Sequence, residues 1–206
     1  MIALSLLSVS ALGRPAQSSI PKPAGPFIPA TPGDPRSMGN PNAPVVITEW
    51  VDFQCPACRS YVMTREPQLI RQYVATGKVR IVAREFPFIG PESFLAAEAA
   101  LAAAAQGRYW DYRGLLFQHQ RAENSGVFTS DNLKRFAAQL GLNQAAFDAA
   151  LDQHTYQSLV QAEVQQGDSV GVTATPTLFI NGQKIEGVPT INRLSQLIDQ
   201  ELTERK

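Results

Sequence analysis

Histidine and cysteine are scarce in this chain of 206 residues, two of each, and neither sign of charge prevails, since 18 basic residues face 18 acidic ones. Balanced charge without a basic block excludes a dedicated DNA or RNA binder, which needs a cationic face for the phosphate backbone. His119 and His154 supply no recognisable second ligand pair for zinc, so no metal is expected. Long apolar runs are missing as well. The run at residues 2–12 is shorter than the roughly 20 residues that cross a bilayer. Its length, and the small residues that follow it, suit an export signal or the remnant of an anchor, assigned to residues 1–13. Export would put the cysteines in an oxidising compartment, periplasmic or otherwise extracytoplasmic.

What the chain has is enough apolar material, 44%, for one globular core, and a clear change of composition near residue 44. Residues 14–43, rich in proline, glycine, serine and asparagine, read as a flexible linker that could tether the domain to a membrane. Residues 44–206 read as the folded domain. A strand is expected at 45–51, a helix over 59–74 ended by Gly77, and a second strand at 79–86, a unit that favours parallel pairing. Helical patterns then fill about 91–170, with Ser130 and Asn143 as caps. Strand signals return only at 177–180 and 184–186, joined by the hairpin pair Asn181-Gly182, before a closing helix from Thr190.

Both cysteines lie in Cys55-Pro56-Ala57-Cys58, directly after the first strand. A bridge across so short a loop removes little entropy from the unfolded chain, so redox chemistry explains the spacing better than stabilisation does. At a helix N-terminus, free N–H groups and the helix dipole favour the Cys55 thiolate, making it the attacking or attacked sulfur. Cys58, one turn inward, is then the resolving thiol. No cofactor is required for such exchange.

The order of these motifs resembles the DsbA-like thiol-disulfide oxidoreductases of the thioredoxin superfamily over nearly all of the chain after Pro44. The resemblance is carried by Asp52-Phe53-Gln54 before Cys55-Pro56-Ala57-Cys58, by Arg84-Glu85-Phe86-Pro87, by the long helical stretch, and by Gly171 to Thr177 entering the hairpin. It implies an α/β thioredoxin-like fold with a central mixed sheet and a large helical insertion. It also implies that Glu49, six positions before Cys55, is a buried carboxylate handling the proton of the inner thiol. Pro176 is implied to be a cis proline, with the Thr175 backbone presented to substrate. Pro56 and Ala57 tune the site, and lacking the histidine of the strongest DsbA oxidants they imply a less oxidising poise. Phe53, Phe86, Phe88 and Trp110 could face unfolded clients, although aromatic residues in such places more often belong to the core.

The resemblance further implies a monomer acting on exported or unfolded proteins with cysteine thiols, served by a membrane redox partner. Oxidation of those thiols is the leading expectation, with reduction or isomerisation on the same scaffold as the alternative. A chaperone-like module with a merely structural disulfide is a third, which a buried Cys55 would favour.

Overall fold

The computed structural model describes residues 33–204. One five-stranded mixed sheet organises them, with strand order β1-β3-β2-β4-β5. Strand β2 (Val45–Val51) runs parallel to β3 (Val79–Glu85), pairing Val45 with Val79 and Val51 with Glu85. The connection between them holds α1 (Pro56–Thr64), α2 (Glu66–Leu69) and a π-helical turn (Ile70–Val74). The expected single helix over 59–74 is thus broken. Pro67 lacks an N–H and its ring crowds the preceding turn, so the helix restarts at Glu66 after the kink at Arg65.

On the other side of β2, strand β4 (Thr177–Ile180) is antiparallel, and β5 (Gln183–Glu186) closes a hairpin on it. Asn181 and Gly182 both have positive φ, 46° and 95°, the conformation that a two-residue turn of this twist demands. Helix α8 (Ile191–Glu204) follows, and the Thr190 hydroxyl accepts the Arg193 N–H at 3.2 Å as its cap.

The first strand, β1 (Ser37–Gly39), lies inside the segment expected to be linker and pairs antiparallel with β3. Its sequence Ser-Met-Gly carries no alternating pattern; pairing with an already formed neighbour makes it a strand. Buried ion pairs hold it there, with Arg36 Nη1 2.6 Å from Glu163 Oε1 and Asp34 Oδ2 3.2 Å from Arg84.

Five helices stand between β3 and β4: α3 (Pro91–Ala104), α4 (Tyr109–His119), α5 (Ser130–Gln139), α6 (Gln144–Asp152) and α7 (Gln157–Ser169). Helix α3 packs against the other four, which its run of buried alanines permits by letting backbones approach closely. Asn143 caps α6 by accepting the Ala146 N–H, as expected. Ser130, expected as a cap, is instead the first residue of α5, and Thr129 takes the flanking position with its carbonyl bonded to Leu133 N–H. Among the described residues no helix is long and apolar enough to cross a membrane.

Both faces of the sheet are covered, and β2 presents a different chemistry to each. Val45, Ile47 and Val51 join the main core, on the face that Glu49 shares by alternation. Trp50, on the opposite face, forms a smaller cluster with Phe86 and Val172. Gly167 of α7 lies flat under that cluster, since a Cβ there would sit 2.6 Å from the Phe86 ring.

Candidate active site

The chain leaves β2 in a tight turn whose last residue, Cys55, is the N-cap of α1. Pro56 follows as the first helical residue, where its missing N–H costs nothing. Helical geometry then brings the Cys58 N–H to 3.4 Å from the Cys55 sulfur, and both thiols are free. Pro56 is exposed and Ala57 half-buried at the outer edge of this turn. From the neighbouring strand, where Thr177 pairs with Trp50, the segment before β4 arrives. The Thr175–Pro176 peptide bond is cis, and the Thr175 carbonyl accepts a hydrogen bond from the Cys55 thiol at 3.3 Å.

The two sulfurs are thereby made unlike. A hydrogen bond from the Cys58 thiol lowers the pKa of Cys55 to about 6 from an ordinary 9.0, against the opposing effect of burial and with help from the Cys58 and Ala57 N–H groups. Burial pushes Cys58 well above 9.0, and its hydrogen bond to Cys55 adds to the rise. Exposure divides them in the same order, 7% for Cys55 and none for Cys58. By burial alone Cys55 would suit a structural disulfide. The depressed pKa of the outer sulfur is the contrary observation, since a thiolate is the species that exchanges.

Several side chains hold the turn from beneath. Gln120, at the end of α4, donates to the carbonyl oxygens of Phe53 at 2.7 Å and Cys55 at 3.0 Å. Arg59 Nε donates to the Phe117 carbonyl at 2.9 Å, and the Phe53 and Phe117 rings lie 5.2 Å apart. Asp52 and Gln54 are buried and fully engaged with the loop and helix that follow β3. Phe53 and Phe86 belong to the interior and Trp110 is half-buried against Tyr109. Phe88 is the exception, 53% exposed.

Glu49 is fully buried, and the groups around it come from three helices. It accepts the Tyr61 hydroxyl at 2.5 Å and meets Arg113 Nη2 at 2.9 Å, while Arg113 also bonds Glu66. Burial and the nearby Glu66 charge raise its pKa to about 8, opposed by Arg113 and the Tyr61 hydrogen bond. Tyr61 lies one helical turn beyond Cys58, so Glu49 reaches the active-site helix through this phenol. A second buried carboxyl, Glu85, accepts the Tyr109 hydroxyl at 2.6 Å, and burial followed by the Glu163 charge raises it to about 7.

Asp52 was named in the sequence as part of a motif but given no role, and Tyr61, Arg113 and Gln120 were not singled out. One signal was available for Arg113: it recurs four residues after Tyr109 and four before Phe117 on the apolar stripe of α4, where an arginine requires a buried partner.

A family profile described as Thioredoxin matches residues 31–200. The chain is 30% identical over 173 residues to the probable disulfide bond formation protein D of Bacillus cereus, covering 81% of this chain and 78% of that protein. It is 32% identical over 174 residues to part of the Na(+)/H(+) antiporter NhaA 3 of Salinispora tropica, 84% of this chain but only 25% of that longer protein. Among solved structures, oxidised BdbD from Bacillus subtilis superposes with a TM-score of 0.78 at 25% identity, over 85% of this chain and 96% of the other. DsbA of Chlamydia trachomatis shares the fold, with a TM-score of 0.74 at 23% identity over 86% of this chain and 96% of the other.

Proposed function

This chain belongs to the thioredoxin family and is a DsbA-like thiol-disulfide oxidoreductase, and we propose that it oxidises cysteine pairs in exported proteins through a Cys55–Cys58 disulfide. The carrying observation is the split between the sulfurs, with Cys55 lowered to about 6 and Cys58 raised. A stabilised Cys55 thiolate favours the reduced dithiol, and a protein with a favoured dithiol is a strong electron acceptor.

In the proposed cycle a client thiolate attacks the Cys55 sulfur, the intramolecular S–S bond breaks, and Cys58 leaves with the electron pair. Its high pKa means that it must take up a proton. A second client thiolate then attacks the client sulfur of the mixed disulfide, releasing Cys55 as thiolate. The client loses two electrons and two protons, and the enzyme dithiol gains the electrons. Glu49, its pKa raised by burial and joined to α1 through Tyr61, is proposed as the group that manages the Cys58 proton. Thr175 is proposed to offer its backbone to the client, beside the cis Pro176, with Pro56 and Ala57 as the exposed rim. Clients are extended chains with free thiols. A membrane-bound redox partner, which would restore the disulfide, and a periplasmic location tethered through the N-terminus complete the proposal; the apolar segment at residues 2–12, outside the described residues, supports export.

Reduction of client disulfides is the second reading, favoured by the absence of a histidine between the cysteines. The equilibrium reduction potential against glutathione separates the two. A value above about −200 mV supports the disulfide donor, and one near about −270 mV moves the protein to the reductase side.

A further inference from the structure

Asp52 is the residue that turns the chain out of β2, and it is buried. Its carboxylate accepts four hydrogen bonds. Oδ1 takes the Gln54 N–H and the Ser93 hydroxyl, each at 2.7 Å, and Oδ2 takes the N–H groups of Phe88 at 2.9 Å and Ile89 at 3.2 Å. None of the four donors is a cation. A buried carboxylate is tolerated when fixed dipoles saturate its lone pairs, and here three of the donors are backbone groups.

The same residue holds the dithiol turn through its backbone. The Asp52 carbonyl accepts the Cys55 N–H at 3.1 Å, closing the turn, and its N–H works against the burial that raises the Cys58 pKa. Gln54 extends the clamp. Its Nε2 donates to Ser93 Oγ at 2.9 Å and to Asn124 Oδ1 at 3.2 Å, while its Oε1 accepts the Asn124 N–H at 2.6 Å. Because Ser93 accepts from Gln54, its own proton is committed to Asp52, so the polarity of the set is determined. An amide at position 52 would aim N–H groups at other donors on one side or the other.

We propose that Asp52 is a positioning residue for the dithiol, locking the turn that carries both sulfurs to the start of α3 and to the loop bearing Phe88, and so setting the reduction potential. This rests on the oxidoreductase reading above. Two routes from the carboxylate to the sulfurs are distinguishable by sign. If position matters, loosening the clamp misaligns the N–H groups that face the sulfurs, the Cys55 pKa rises, and the dithiol is less favoured. If only the negative charge matters, removing it lowers the Cys55 pKa.

The test uses the full chain with Asp52→Asn and, separately, Ser93→Ala, which removes one donor and keeps the charge. The readouts are the glutathione equilibrium and the thiolate absorbance against pH. Both variants are expected to raise the Cys55 pKa by about one unit and to lower the equilibrium constant for oxidising glutathione about tenfold, about 30 mV. Should Asp52→Asn fail to fold, Ser93→Ala decides alone, in the same direction. Potentials and pKa values matching the unmodified protein, with only a lower melting temperature, reduce Asp52 to a structural role and overturn the proposal. A fall in the Cys55 pKa in Asp52→Asn overturns it in favour of charge. If the unmodified protein itself does not exchange with glutathione, the oxidoreductase reading fails first, and the position of the dithiol has no potential to set.

Discussion

Arg113 on α4 places Nη2 2.9 Å from Glu49 Oε2 on β2, while its Nη1 reaches the two oxygens of Glu66 at 2.7 and 2.8 Å. One guanidinium, fully enclosed, thus serves two carboxylates, and their charges raise its pKa even though burial lowers it. Replacing Arg113 by alanine strands both carboxylates in the interior. The expected loss is about 3–5 kcal/mol in urea unfolding, with Arg113→Lys intermediate because it keeps the charge but not the planar fork.

Cys58→Ser leaves the lowered thiolate of Cys55 without its resolving partner. Incubated with a disulfide-bearing peptide, this variant is expected to accumulate a stable mixed disulfide visible as an added mass. Cys55→Ser should form none, because burial holds the remaining thiol of Cys58 in its protonated form.

The redox thiol and the buried carboxyls pull stability in opposite directions with pH. Cys55, lowered to about 6 on folding, contributes stability to the dithiol form that is present above pH 9 and lost as pH falls through 6, at most about 4 kcal/mol. Glu49 and Glu85 are raised, so their contribution is full below pH 4.5 and is lost as pH rises through about 7 and 8. Unfolding measured at pH 5, 6.5 and 8 should therefore show the disulfide form weakening as pH rises. The advantage of the dithiol form over it should grow over the same range.

Gly167→Ala would push a methyl group into the Phe86 ring, 2.6 Å away, and to 3.2 Å from Trp50. A cost of about 1–3 kcal/mol is expected from such overpacking, measured as a lowered melting temperature. Adding Phe86→Leu should recover part of it, since the double variant removes the struck ring.

Arg36→Ala would remove the cation that joins β1 to Glu163 of α7. Glu163 then keeps the Glu85 N–H at 3.1 Å, but its remaining ion pair is the longer contact to Arg84, 3.8 Å. Hydrogen exchange should report the loss locally, with faster exchange at the Ala83 N–H, which bonds the Arg36 carbonyl at 3.0 Å, and little change in β4.

Much of this protein is local, and local features are legible in a sequence. The apolar alternation of Val45–Val51, the Asn181-Gly182 turn and the alanine-rich pattern of α3 each depend on near neighbours, and each element formed where the pattern placed it. The pairing of Cys55 with Cys58 belongs to the same class, because a helical turn brings residues three apart together whatever surrounds them. Even the break at Pro67 is a local consequence of a missing N–H, readable once proline is weighed above apolar periodicity.

Tertiary structure decided what no window of sequence contains. Ser37–Gly39 has no strand pattern and becomes one only because β3 offers it an edge. The environment of Glu49 is assembled from Tyr61, Glu66 and Arg113, residues 12 to 64 positions away, and its raised pKa is a property of that enclosure rather than of the residue. The same holds for the carboxylate of Asp52, saturated by donors from a loop and a helix more than 30 residues downstream. Spacing along the chain determined which atoms could exchange electrons and, through the helix N-terminus and the thiol three residues on, which sulfur is favoured as thiolate; desolvation, which exists only after folding, holds the inner sulfur protonated.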